Sequence, residues 1–545
     1  MRVDPRGDRA IPGLLRFARR GLPVRRGLGA AHRAGAAGRP PAAGAAAGPG
    51  GRQVAGRIPD AGVDQGAGAQ RRAQAAGEPT GATRAGAAGL GGGIPGVNTE
   101  IVGVQGLRVW DSRGRPTVEA AVWLADGSVG RAIAPAGAST GSGEALDLRD
   151  GGAAFGGYDV RRAVANVGGE IGAAVTGMDA AGQEALDRRL VELDGTPGKT
   201  RLGANAVLAV SLAAAHAVAA SRGVPLYRSL GGEDATLLPF PQIQIFGGGA
   251  HAGRRVDIQD FMVVCPGAEN FAEALDRTAE VYRAAGALMR EAGSLAGVAD
   301  EGGWWPTFDT NEQALETLVR AIERAGFTPG DEVAIALDIA ASEFGRNGRY
   351  RLGLEGRELD SDGMVGLLAG WIARYPILSV EDPLAEDDAQ GFAAFTQAVG
   401  DRVQVVGDDF LVTDAARVRD AAARGAANAV LLKPNQRGTL TETRAAFEAA
   451  RQAGFAGIVS ARSGETEDLT IVHLAIGWGV GQLKVGSFAR SERMAKWNEA
   501  LRIEAALGAR ARFAGAGVLG RDAEEGRPGL RPGPAGAVPQ TPLLK

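Results

Sequence analysis

From Pro239 onward the chain repeats one arrangement: a short apolar run, a charged residue, then an Ala-rich stretch of helical character. Ala334 to Leu337, Ile377 to Val380, Gln404 to Val406, Ala429 to Leu432, Gly457 to Ser460 and Gly481 to Leu483 all follow it. Short apolar strands alternating with helices specify a parallel β/α barrel. The residues closing the runs are Asp338, Glu381 with Asp382, Asp408 with Asp409, Lys433, Arg462 and Lys484. Barrel sites are built at the C-terminal ends of the strands, so these side chains are expected to meet at one mouth.

The chain has 60 Lys and Arg residues, yet lysine occurs only at 199, 433, 484, 496 and 545. An arginine is always protonated, whereas a buried lysine can release its proton and act as a base. Lys433 and Lys484 each follow an apolar run and precede a loop, where that distinction counts. The alternative for each is a surface lysine that escaped replacement.

A length of 545 residues allows two or three domains. Residues 1–98 are rich in Gly, Ala, Arg and Pro and lack any sustained period. They are expected to form a disordered extension, the alternatives being a targeting segment or a nucleic-acid-binding arm. The Pro-rich tail, 525–545, is read the same way. Between them, alternation at Ile101 to Val104 and Thr117 to Leu124, with Asp126-Gly127 after it, predicts antiparallel strands and a hairpin. Helical patterns follow over Ala163 to Val175 and Ala204 to Arg222. Residues 99–235 thus read as an α+β unit and 236–524 as the barrel.

The net charge of -3 gives no general attraction to nucleic acid, and no apolar run approaches the roughly 20 residues of a membrane helix. The single cysteine, Cys265, cannot form an internal disulfide. In its apolar run a buried thiol is favoured over a nucleophile, and a reducing cytoplasm fits.

Asp338, Glu381 and Asp408 on successive strands offer hard oxygen ligands suited to Mg²⁺. One such acid could be a cap or a salt-bridge partner, but three followed by two lysines form a constellation. The order and spacing of Asp111-Ser112-Arg113-Gly114-Arg115-Pro116-Thr117-Val118-Glu119, Gly137-Ala138-Ser139-Thr140-Gly141, Asp300-Glu301-Gly302-Gly303, Ser379-Val380-Glu381-Asp382, Gly407-Asp408-Asp409, Leu432-Lys433-Pro434-Asn435-Gln436 and Arg462 to Asp468 resemble the enolase family. The resemblance covers roughly residues 99 to 520.

It implies an α/β protein, with an N-terminal α+β capping domain followed by an enolase-type eightfold β/α barrel whose opening connections depart from simple repetition. It also implies a homo-oligomer, most often a dimer, and Mg²⁺-dependent dehydration of 2-phosphoglycerate to phosphoenolpyruvate. Two Mg²⁺ are implied per site, one on Asp338, Glu381 and Asp408, the other helped by a loop carrying Ser139. Lys433 matches the base that takes the proton beside the carboxylate, and Glu301 the acid assisting loss of the C3 hydroxyl. Lys484, Arg462, Ser463, His251, Gln259 and Asp260 fall at substrate-contacting positions. Since Lys433 must be neutral to act, burial and neighbouring positive charge should lower its pKa.

The match breaks on one side of the site. Enolases carry Glu where this chain has Asp260 and His where it has Ala461, both replacements being smaller. Ala136, Gln244, Gly247, Ala250 and Trp304-Trp305 also depart from the family pattern. Three readings follow. The first is an enolase acting on 2-phosphoglycerate. The second is a paralogue of secondary metabolism dehydrating a related phospho- or phosphonoglycerate, like the enzymes that form carboxyphosphonoenolpyruvate. The third is a non-catalytic binding protein on this scaffold.

Overall fold

The computed structural model describes residues 98–519. The two segments expected to be disordered lie outside the described residues, apart from Asn98.

The chain opens with a three-stranded antiparallel meander, Ile101–Trp110, Pro116–Leu124 and Val129–Ile133. The second and third strands turn through Asp126-Gly127, where Gly127 takes φ +88°, a conformation glycine adopts without strain. A helical stretch expected over Ala163 to Val175 runs from Arg161 to Val175, with a widened turn at Val167–Ile171. The second expected helix, Ala204–Ser221, packs on the meander. By length and a mean hydropathy of 1.6 it is apolar enough to cross a bilayer, which corrects the expectation that no run approaches that limit. In the fold, 83% of it is buried. The meander covers one side, while Leu440 and Leu474 of the barrel join its apolar cluster on another.

The barrel is a closed ring of eight strands: Phe240–Gly247, Asp260–Val264, Ala334–Asp338, Ile377–Glu381, Gln404–Gly407, Ala429–Leu432, Ala456–Ser460 and Gln482–Ser487. The eighth pairs with the first and closes the ring. The second strand is antiparallel to both neighbours, and the other pairings in the ring are parallel. This is where the opening departs from simple βα repetition. It also has a geometric consequence: a reversed strand presents its first residue, not its last, to the mouth that the parallel strands reach with their ends. Asp260 therefore lies beside Asp338 in register, and Asp338 beside Glu381.

Cys265 closes the second strand's apolar run. It is buried, and burial pushes its thiol up to about 12, so it is packed and inert as expected.

Candidate active site

The strand ends and two loops enclose a cavity of about 310 Å³. All the expected site residues line it except Glu381 and Asp408, which connect to it through the two lysines.

Lys484, in the eighth strand, reaches across the barrel. Its Nζ donates to Asp338 Oδ2 and Glu381 Oε2, both at 2.8 Å, and lies 3.4 Å from Asp260 Oδ2. Burial opposes its charge, but these acids hold the ammonium well above the usual lysine range. Lys433 donates to Asp408 Oδ2. Burial pulls it down as expected, yet Asp408 and Glu381 outweigh burial, Arg462 and Lys484, so its pKa is raised rather than lowered. That corrects the expectation of a depressed value. Its physical reason is direct contact with a carboxylate.

Gln259 Nε2 donates to Asp338 Oδ2 at 3.0 Å, and Gln436 Nε2 to Asp408 Oδ1 at 2.9 Å. Asp382 is consumed by the backbone: its carboxylate accepts the N–H groups of Asp408 and Asp409 at 2.9 and 2.7 Å, aiming the following side chains. Burial, then Asp338, push the Glu381 carboxyl well above its usual range. Burial, then Asp408, take Asp409 to about 8.

This donor set fits a hard divalent cation. The buried acids outnumber the two lysines, their mutual repulsion is visible in the raised Glu381, and the buried atoms Glu381 Oε1 and Gln259 Oε1 have no hydrogen-bond partner. Ligand-type atoms gather within 4.8 Å in two groups, His251–Asp260–Glu301 and Asp382–Asp408–Asp409. Lys484 instead joins Asp338 to Glu381, and Lys433 pairs with Asp408.

Across the cavity, Glu301 lies 3.8 Å from His251. Burial raises its carboxyl, but His251, Arg493 and both lysines outweigh that and hold it below the usual range. The turn carrying it needs glycine at 302, where φ is +96° and a Cβ would strike the Ala489 carbonyl.

Arg462 and Ser463 anchor the loop that follows the meander. Ser463 Oγ accepts Ala138 N–H at 2.6 Å, and Arg462 Nη2 donates to the Ser139 carbonyl at 2.9 Å. The guanidinium also binds both oxygens of Glu144, at 3.0 and 3.1 Å, and Asn435 Oδ1 at 2.9 Å. Gly137 is required there, because a Cβ would collide with that guanidinium.

Sequence reasoning missed four contributors: Glu144, Asn435, Gln436 and Arg493. Asn435 and Gln436 lie inside a quoted motif and directly follow Lys433, which was a usable signal. Glu144 and Arg493 sit in ordinary polar stretches with none. Arg493 is fully buried and donates to the carbonyls of Arg462, Val485 and Ser463 at 2.6–2.7 Å, tying the segment that follows the seventh strand to the eighth strand.

Comparison with known proteins agrees with this geometry. Residues 101–230 match the family model described as the enolase N-terminal domain, and residues 235–521 the enolase C-terminal TIM barrel domain. "Enolase 1" of Desulfitobacterium hafniense (strain Y51) is 50% identical over 423 residues, covering 77% of this chain and 97% of that protein. "Enolase" of Rubrobacter xylanophilus is 51% identical over 429 residues, covering 78% of this chain and all of that protein. The chain belongs to the enolase family.

Proposed function

We propose that the protein is a carbon–oxygen hydro-lyase that dehydrates 2-phosphoglycerate to phosphoenolpyruvate, as its relatives' names indicate. The observation that carries the reading is that two buried lysines line one cavity with Glu301 and His251 while bonding to the strand-end acids Asp338, Glu381 and Asp408.

Lys433 Nζ takes the proton from the carbon next to the substrate carboxylate, and the freed electron pair forms the C2–C3 double bond as the C3 hydroxyl departs. Glu301 supplies the proton with which that hydroxyl leaves as water. Before substrate binds, His251, Arg493 and the lysines hold the Glu301 carboxyl below its usual range. A substrate bearing a carboxylate and a phosphate brings opposing charge that raises it, so that Glu301 takes up a proton from solvent on binding and passes it to the departing hydroxyl. Lys484 sets positive charge beside the substrate carboxylate, while Arg462 and Ser463, with the Ser139 loop, face the phosphate end. Asp338, Glu381 and Asp408 would hold Mg²⁺, with Ser139 serving a second ion. A bound metal would supply positive charge against the charge developing on the substrate carboxylate, and Asp338, Glu381 and Asp408, engaged as its ligands, would hold Lys433 less tightly.

The functional unit is taken to be the 99–235 unit with the 236–524 barrel, acting as a cytoplasmic homodimer. The test is the purified protein with Mg²⁺ and 2-phosphoglycerate, followed by absorbance of the enol product. Turnover at an ordinary enzyme rate, roughly 10 per second or faster, supports the reading. No product from 2-phosphoglycerate, with turnover of a phosphono analogue, would replace it by the secondary-metabolism reading that the smaller Asp260 and Ala461 side chains favour.

A further inference from the structure

We infer that Gln244 is a positioning residue that holds Asp260 and the Glu301 turn in one frame, an inference that rests on the dehydration reading above. Gln244 lies in the first barrel strand, is 1% exposed and does not line the cavity. Its amide spans two parts of the acid side. Oε1 accepts the Gly303 N–H at 2.9 Å, and Nε2 donates to Asp260 Oδ1. The amide's orientation follows from its partners, since a backbone N–H can only donate and so must face the oxygen.

Two glycines make room for this clamp. A Cβ at Gly303 would strike the Gln244 amide, and one at Gly247 would come within 3.3 Å of Oε1. Gly303 closes the turn that presents Glu301, with Ala299 N–H donating to the Gly303 carbonyl at 2.8 Å and Gly302 N–H to the Ala299 carbonyl at 3.1 Å. On the other side, Asp260 Oδ2 faces Lys484 at 3.4 Å. Gln244 thus joins the Glu301 turn to the lysine-linked acids through a single side chain. It touches neither Lys433 nor Asp408, so it bears on departure of the hydroxyl and not on removal of the C2 proton.

Each partner's length matters. A single methylene displaces a terminal group by about 1.5 Å, and a misplacement of about 1 Å can cost on the order of 100-fold in rate. Gln244→Met keeps the chain length and removes both bonds. Gln244→Asn and Asp260→Glu each break the fit between residues 244 and 260, whereas together they move one methylene across that hydrogen bond and restore it, leaving only the Gly303 N–H without its acceptor.

The experiment measures, for each variant, kcat and KM for dehydration of 2-phosphoglycerate and exchange of its C2 proton with deuterated water. Wild-type protein must do both. If it does neither, the dehydration reading has failed rather than this inference. Gln244→Met is expected to lower kcat by about 100-fold, with KM and C2 exchange near wild-type, and the double variant to exceed Gln244→Asn. Wild-type kcat in Gln244→Met, or a parallel fall of exchange and dehydration, overturns the proposal. Should Gln244→Met not fold, the double variant decides: kcat no better than that of Gln244→Asn also overturns it.

Discussion

Arg493→Met is the substitution whose effect can be worked most directly from the fold. The guanidinium has no exposed surface and forks onto three carbonyls, two in the Arg462-Ser463 segment and one at Val485, beside Lys484. Methionine fills much of the same space but donates nothing. Each carbonyl left without a donor costs about 1 to 3 kcal/mol, so three give a loss of at least about 3 kcal/mol, from which relief of the buried charge subtracts a part. Against a total stability of about 5 to 15 kcal/mol, the chain should still fold but unfold at lower urea. Because the carbonyls belong to the segments carrying Arg462, Ser463 and Lys484, activity should fall at urea concentrations where the protein is still folded. Arg493→Lys, a compact ammonium that cannot reproduce the fork, should recover only part of the loss. Urea midpoints from circular dichroism, together with turnover in native buffer and at urea concentrations below the unfolding transition, give both readouts. A wild-type midpoint and wild-type turnover in Arg493→Met would refute the reasoning.

Lys433→Arg should be as damaging as Lys433→Ala, since a guanidinium does not release its proton near neutral pH; persistence of C2 proton exchange at the wild-type rate would assign the base elsewhere. Asp338→Asn should weaken Mg²⁺ binding, read by calorimetry, and abolish turnover, while full wild-type activity in excess chelator would end the metal reading. His473 is buried against Tyr227, and burial, then His216, lower its pKa to about 4. The unfolded chain takes up that proton near 6.5 and the folded one resists until about 4, so stability is fully present above 6.5 and falls as pH drops through that window, by about 3 kcal/mol at most. His473→Gln should flatten the fall in urea midpoint between pH 7 and 5, and an unchanged slope would show that His473 is not its source.

The barrel was legible because its strands are short apolar runs separated by helical stretches, and the parallel strands announce their ends with a charge. Asp338, Glu381, Asp408 and Lys433 obey that rule, whereas Lys484, expected to end its run before a loop, lies inside its strand, which continues through Val485 to Ser487. Asp260 escapes the rule, because its strand runs backwards and brings its first residue to the mouth; only the family resemblance flagged it. Gln244 was visible as a departure from the family pattern, but its role depends on the Gly303 N–H, 59 positions away, and no local pattern encodes that meeting. The sign of the Lys433 shift failed for a related reason. Burial and neighbouring cations both argue for a lowered value, and burial is readable from the apolar run before it. The opposing influence depends on which acids come into contact: a carboxylate about 4 Å away is worth about 4 kcal/mol at an effective dielectric of 20, the same order as the burial penalty. Asp408 in direct contact, with Glu381 behind it, therefore decides the direction. Lys433 is held charged by the acids it touches, so in the proposed reaction its service as a base would depend on a cation offsetting Asp408 and Glu381, a dependence that comes from residues the barrel brings together.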